Sequence, residues 1–361
     1  MSGRPEANVE VAEKPVRIGL IGGGFIAQVA HLHALSQISQ AHVVALSEPD
    51  KDLRDAVSRR FGIESGTGAF EEILERDDIE ALVVCVPRRA QSHLVTRALS
   101  APRSVLSEKP MAMSLNEATN MLEVARHSGA SWAIGYMKRY DAGVQRFASL
   151  LAMLRASGEL GNVVDVQMRD FCGTYGVPVP AHARRSGPRQ LRYAEGSVAP
   201  EFVPAAMRAE YEYTLNVASH DINLLRLLFG DALKPTRFLV RPSGVQHLIF
   251  DAGAFSVSLV VAPVDVGRWD QRLDVIFERG KVSLVLPSPL ARQESAVVVL
   301  ERSGHVQVTT IPASEHVWSF EAQARCFVES VRQGTAMITN GDACLGDIAM
   351  IEEFWKRVER P

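Results

Sequence analysis

The stretch Val16-Arg17-Ile18-Gly19-Leu20-Ile21-Gly22-Gly23-Gly24-Phe25-Ile26-Ala27 decides the architecture of this chain. Its first six residues form a short apolar run of strand type, which the glycines end abruptly. From Ile26 to Leu35 apolar residues recur at helical spacing. A Gly-x-Gly-x-x-Ala pattern alone is weak, but between a buried strand and a helix it reads as a dinucleotide-binding turn. Gly22 permits the tight turn, Gly24 lets the backbone approach a pyrophosphate, and Ala27 is small enough for close helix-to-strand packing. Free N–H groups and the helix dipole then face the negative charge.

Working outward, Val43–Leu46 reads as a second strand with Glu48 at its end. A carboxylate there accepts hydrogen bonds from an adenosine ribose and repels a 2′-phosphate. Pro49 and Asp50 follow rather than an arginine pair, so the reading favours NAD over NADP. Helical patterns over 50–61, 71–74, 91–99 and 115–128 alternate with strand patterns over 81–86 and 104–106. That alternation predicts a doubly wound parallel sheet covered on both faces, a Rossmann domain over residues 16–140 behind a polar tail at 1–15.

After residue 140 the pattern changes. A helix over 144–156 leads to an extended segment at 163–171. Residues 173–210 are rich in Pro, Gly and Arg, and no secondary structure is assigned to them. Helical spacing returns at 213–229. Alternating runs between 236 and 311 then predict a large, open, mostly antiparallel sheet, and two helices close the chain at 319–333 and 342–359. The second α/β domain is therefore placed at 141–361, its last helix free to pack back on the first domain.

With 39 basic against 42 acidic side chains, the net charge of −3 gives no electrostatic case for nucleic acid or an anionic membrane. Cys85, Cys172, Cys326 and Cys344 are scattered without metal-ligand spacing, so they read as small buried hydrophobes in a reducing compartment, and no metal is expected. No signal-like or membrane-length apolar run is present, and a cytoplasmic location is expected.

Glu108-Lys109-Pro110 follows a strand at the carboxyl edge of the expected sheet, where ligands of open α/β folds bind. A partly desolvated lysine beside a nicotinamide can hydrogen-bond an alcohol and help remove its proton. Here the chain resembles the glucose–fructose oxidoreductase, inositol dehydrogenase and rhizopine-catabolism (Gfo/Idh/MocA) family. The resemblance rests on IGLIGGGFIAQVAHLHAL, VLSEKPMAMSLNEA, IGYMKRYD, GELGNV and ITNGDACLGDIAMIEE, and it spans essentially the whole chain. It implies cofactor contacts at Phe25, Ile26 and Pro87 beside the glycines. It also implies that Glu108 and Lys109 approach the nicotinamide ribose and the substrate, that the Lys–Pro bond is often cis, and that the open sheet supports a homodimer or homotetramer.

The family's second element, roughly Asp-x-x-x-His-x-x-Asp, appears here as Asn216, His220 and Asn223. On a regular helix these share a face, so three polar groups would converge on one substrate. His220 is the expected acid–base partner of Lys109. Asn216 orients but accepts no proton, which shifts that work to His220 and Lys109. Gln91 stands where relatives often carry His. Tyr136, Arg139 and Tyr140 are placed near the sugar site, with core or hinge packing an equal alternative for the tyrosines. Arg184, Arg185, Arg189 and Arg192 make a basic loop, read first as solvated. The expected activity is NAD-dependent hydride transfer to or from a hydroxyl of a sugar, polyol or glycoside. Three alternatives stand beside it: a glycoside 3-oxidoreductase that retains NAD(H), an oxidative-elimination glycosidase, and a nucleotide-binding regulator without chemistry.

Overall fold

The computed structural model describes residues 14–172, 199–264, 267–302, 305–309 and 316–359. The tail at 1–13 and the four loop arginines lie outside the described residues.

Six strands build the first sheet: β1 (Val16–Ile21), β2 (Ala41–Ser47), β3 (Ser65–Thr67), β4 (Ala81–Val84), β5 (Ser104–Ser107) and β6 (Ser131–Ile134). All pair in parallel, in the order β3-β2-β1-β4-β5-β6. Helices α1 (Leu32–Leu35), α2 (Lys51–Phe61), α3 (Glu71–Leu74), α4 (Arg88–Leu99) and α5 (Leu115–Ser128) lie between them. All four residues of β4 are buried, as expected of a strand covered on both faces. Asp50 caps α2 by accepting from Leu53 N at 3.1 Å, and Ser114 caps α5 by accepting from Glu117 N at 3.2 Å. Each such cap satisfies an amide that the helix itself leaves free, which contributes about 1 kcal/mol. The strand order reverses between β1 and β4, so the loops leaving these strands open a crevice at the carboxyl edge.

The second sheet has nine strands: β7 (Val163–Phe171), β8 (Lys234–Val240), β9 (Gln246–Asp251), β10 (Ser256–Ala262), β11 (Asp270–Phe277), β12 (Gly280–Leu286), β13 (Val297–Arg302), β14 (His305–Thr309) and β15 (Val358–Glu359). Their order is β14-β13-β12-β11-β7-β10-β9-β8-β15. The hairpin neighbours are antiparallel, as the alternating runs predict. Two parallel contacts, β7 with β10 and β8 with β15, come from a strand entering mid-sheet and from the chain end joining an edge. Side chains alternate cleanly along β11, with Gln271, Leu273, Val275 and Phe277 on the covered face.

That face meets α6 (Ala142–Ser157), α7 (Arg208–Tyr213) and α8 (Ser219–Phe229) in one apolar core. Helix α9 (Ser319–Gln333) returns to the first sheet, where Phe320, Ala324, Phe327 and Val328 join Ile18, Leu20 and Leu35. Helix α10 (Gly341–Lys356) packs Phe354 and Trp355 on Phe250 and Phe238, with ring centroids 4.7 and 5.2 Å apart. No described helix is long and apolar enough to cross a membrane.

Two helical segments depart from the regular spacing read in the sequence. Ala27–His31 and Thr214–Ala218 are widened turns with five-residue hydrogen-bond steps, each running into the regular turn that follows. Such wide turns concentrate at functional sites because the extra residue re-aims neighbouring groups. Both flank the cleft between the two sheets.

Candidate active site

The glycine turn leaves β1 at its carboxyl end. Gly22 has φ +94°, and a Cβ on it would stand 2.3 Å from the Cys85 carbonyl oxygen, so only glycine fits. A Cβ on Gly24 would meet nothing within 4 Å. The backbone there faces open space, the cradle a pyrophosphate needs. Glu48 is fully buried: its Oε2 accepts from Gly23 N and its Oε1 from Asp50 N, both at 3.0 Å. The carboxylate therefore stands against the turn.

Beside the turn lies a cavity of about 470 Å³ walled by both sheets. Ile26, Pro87, Glu108 and Lys109 line it from the first sheet, and Asn216 and His220 from the wide turn before α8 and its continuation. These six sequence candidates are brought to one cavity. The Lys109–Pro110 peptide is cis. Lys109 Nζ donates to the Asn216 carbonyl at 2.6 Å and to Asn216 Oδ1 at 3.1 Å. Ser219 N reaches five residues back to Thr214 O, and the widened turn turns the Asn216 carbonyl toward the lysine. Burial lowers the Lys109 ammonium to about 8, with Arg88 and Lys138 adding to the effect and Glu108 opposing it.

His220 stands beside Tyr136, with rings edge to face at 5.8 Å, and its Nδ1 is buried without a partner. Burial, then the charges of Lys109 and Lys138, push its imidazolium well below the ordinary histidine value. The ring is neutral at pH 7, and its orphaned nitrogen awaits a polar group.

Three substrate candidates do not reach the cavity. Arg139 Nε donates to Asn223 Oδ1 at 2.7 Å and Arg139 Nη2 to the Asn223 carbonyl at 2.8 Å. Asn223 Nδ2 in turn donates to Asp347 Oδ2 at 2.6 Å, and Arg226 completes the pairing of that fully buried acid. Arg139 and Asn223 are thus committed to balancing Asp347 in the core. Tyr136 is 1% exposed and forms the wall behind His220 rather than the lining. Asn216 and His220 keep the shared face read in the sequence, whereas Asn223, three residues further round the regular helix α8, is drawn into the core by Arg139 and Asp347.

Sequence reading missed a second polar group in the wall. Lys138 and Asp170 line the cavity, and Asp221 and Gln271 stand behind them, all four buried. Lys138 Nζ lies 3.7 Å from Asp170 Oδ2 and donates to Gln271 Oε1 at 2.7 Å. Gln271 Nε2 donates to Asp221 Oδ1 at 2.5 Å. Burial raises both carboxyls, which stand within hydrogen-bonding reach of each other. Burial, and for Asp221 the charge of Asp170 as well, favours the protonated forms, while the ammonium of Lys138 opposes them. Trp269 lines the cavity beside this group, its ring 5.5 Å from Lys138 Nζ. The four residues are dispersed over 133 positions of sequence, and no spacing rule connects them.

Gln91, which stands where relatives often carry His, has a clear place here. Its amide donates to the Glu108 and Pro110 carbonyls, both at 2.5 Å, and so holds the backbone on either side of Lys109. Among the described residues no His, Cys, Asp and Glu cluster is built to hold a metal ion.

The fold and cleft define an α/β oxidoreductase with a nucleotide-binding sheet and a second sheet closing over it. Residues 16–136 match the model of the oxidoreductase family with an NAD-binding Rossmann fold. The chain is 28% identical over 349 residues, 94% of its length and 96% of the relative's, to dTDP-3,4-didehydro-2,6-dideoxy-alpha-D-glucose 3-reductase of Saccharopolyspora spinosa. It is 26% identical to inositol 2-dehydrogenase 3 of Saccharopolyspora erythraea, covering 89% of this chain and 86% of that one. Among solved structures, a 3-ketoreductase from Actinomadura kijaniata in complex with NADP and TDP-benzene superposes with a TM-score of 0.77 at 20% identity, over 96% of this chain and 99% of that chain. Residues 16–136 thus carry the NAD-binding domain of the Gfo/Idh/MocA type, and the chain over nearly its whole length is similar to NAD(P)-dependent oxidoreductases that act on sugars and inositols.

Proposed function

We propose that the protein oxidises or reduces a secondary hydroxyl on a sugar, polyol or glycoside, with Lys109 and His220 handling the proton and NAD(H) the preferred cofactor. The observation that carries this reading is Lys109 Nζ held at the cavity 2.6 Å from the Asn216 carbonyl, opposite a neutral His220 with a free nitrogen. When bound, the nicotinamide supplies the hydride acceptor or donor. Gly22 and Gly24 receive its pyrophosphate, and Glu108 and Pro87 border the nicotinamide end of the cavity. Glu48, buried against the glycine turn, sets a negative charge beneath the place of the adenosine ribose, and that charge opposes a 2′-phosphate.

In the oxidation direction the neutral amine of Lys109 takes the hydroxyl proton while Asn216 orients the lysine. In reduction the ammonium returns that proton to the new alkoxide oxygen. The neutral ring of His220, at the cavity wall, accepts from the same or an adjacent hydroxyl. Trp269 gives the sugar ring a flat apolar face. Asp170 and Lys138 offer an acceptor and a donor to its other hydroxyls. The outward face of the second sheet, where Val164 and Val285 are exposed, is assigned to a second copy of the chain.

The test is initial-rate hydride transfer with NAD+ or NADH over a panel of inositols, sugars and glycosides, in the native protein and in Lys109→Ala. Turnover abolished by that substitution supports the proposal. Turnover that survives it assigns the proton elsewhere.

A further inference from the structure

The Glu-Lys-Pro turn raises an electrostatic problem. A carboxylate one residue before Lys109 should draw the ammonium to itself and hold it protonated. Yet Lys109 Nζ reaches away to Asn216, and the Glu108 carboxylate is engaged elsewhere. Its Oε1 is 2.8 Å from His31 Nε2, and its Oε2 accepts from the Lys109 backbone N–H at 3.1 Å. The His31 side chain is only 4% exposed and that of Glu108 14%, so their contact is shielded from water. His31 ends the widened turn Ala27–His31, one residue further round than a regular helix would carry it. Helix α9 backs the ring with Phe320, edge to face at 5.8 Å.

We propose that His31 is a positioning residue for the catalytic turn: its imidazolium pairs with Glu108 and cancels that charge, so that Lys109 extends into the cavity instead of folding back. This rests on the reading of Lys109 as the proton-handling group. The groups facing His31 are Glu108 and the Cys85 thiol from the end of β4. Burial raises that thiol, and the His31 ring beside it opposes the rise. Burial disfavours the charged ring, but Cys85 and Glu108 outweigh it and bring the imidazolium up to about 10. Around Lys109 stand Glu108, Arg88, Lys138, Cys172 and His220. With Glu108 already paired, burial, helped by the neighbouring cations Arg88 and Lys138, prevails over its pull on the ammonium.

The charge on Lys109 is read without any substrate, by the pH dependence of its acetylation with acetic anhydride, followed by peptide mass in the full-length protein. The native midpoint is expected near 8. In His31→Gln, which keeps a hydrogen-bond donor but no charge, the midpoint is expected to rise by about one pH unit. In His31→Gln with Glu108→Gln that rise should vanish, because the charge that His31 cancels is gone. An unchanged midpoint in folded His31→Gln would overturn the proposal and leave His31 a packing residue. Should that variant fail to fold, nitrogen-15 histidine NMR of the native chain decides. An imidazolium signal for His31 at pH 8 supports the pairing, and a neutral ring refutes it. These readouts stand apart from turnover: a sugar panel without activity counts against the proposed function, while the Lys109 midpoint judges His31.

Discussion

Lys109 sits between opposing fields, burial with two cations on one side and Glu108 on the other, and the balance sets the direction of its pH dependence. Oxidation needs the amine and reduction the ammonium. The kcat for oxidation should therefore rise as pH passes about 8, and that for reduction should fall over the same range. Lys109→Ala should lower kcat/KM by about 10²–10⁴-fold without moving the melting temperature, measured by initial rates and calorimetry. Glu48→Ala should move the ratio of NAD+ to NADP+ dissociation constants toward NADP+ by about tenfold, because a like charge facing the 2′-phosphate has gone. Equal ratios in the two proteins would remove Glu48 from cofactor choice. Lys109, Glu108 and Glu48 were legible because each follows a strand end that periodicity locates. His31 was not, because its partner lies 77 residues away and only the fold joins them.

The glycine turn and the two wide helical turns show how element geometry aims these groups. Gly22→Ala should destabilise the fold by about 2 kcal/mol or more, since its Cβ would collide with backbone at positive φ. Gly24→Val has space in the free protein, so the melting temperature should hold while NAD(H) binding weakens at least tenfold. Equal loss of stability in both variants would contradict the assignment of Gly24 to a ligand. The strand and helix order followed from periods of two and 3.6 residues, as with α5 and β7. The wide turns did not, since an added residue within a helix leaves no composition signal, and the loss of Asn223 from the expected face was equally hidden, because Arg139 and Asp347, which hold it in the core, come from distant parts of the chain. The Asp170–Asp221 pair carries its own pH signature. Carboxyls raised by folding bind a proton that the unfolded chain releases near 3.8, so their contribution declines as pH rises above that value. Asp221→Asn mimics the protonated partner and should flatten the fall in stability toward alkaline pH, followed by denaturant melts across the range. A slope identical to the native one would mean that Asp221 holds no such proton.

Across the whole molecule, the cleft depends on both sheets being held together. Arg88 and Arg89 of α4 reach Glu212 of α7 at 3.5 and 2.9 Å, and α9 locks the second half of the chain to the first sheet. The bipartite architecture was readable from alternation of strand type along the chain. The polar wall of Lys138, Asp170, Asp221 and Gln271 was not, because β7, α8 and β11 meet there only after folding. Val285→Arg on the outward face should shift the protein to monomer in sedimentation if that face joins two copies; an unchanged mass would place self-association elsewhere. The most direct test is to denature the purified protein, quantify released NAD(H) and NADP(H), and follow hydride transfer to or from sugars with the same cofactor in native, Lys109→Ala and His220→Ala proteins. NAD(H) bound on purification or in titration, with sugar turnover lost in both variants, is the predicted result. A protein that binds neither cofactor, or that turns over sugars equally well without Lys109 and His220, would contradict it.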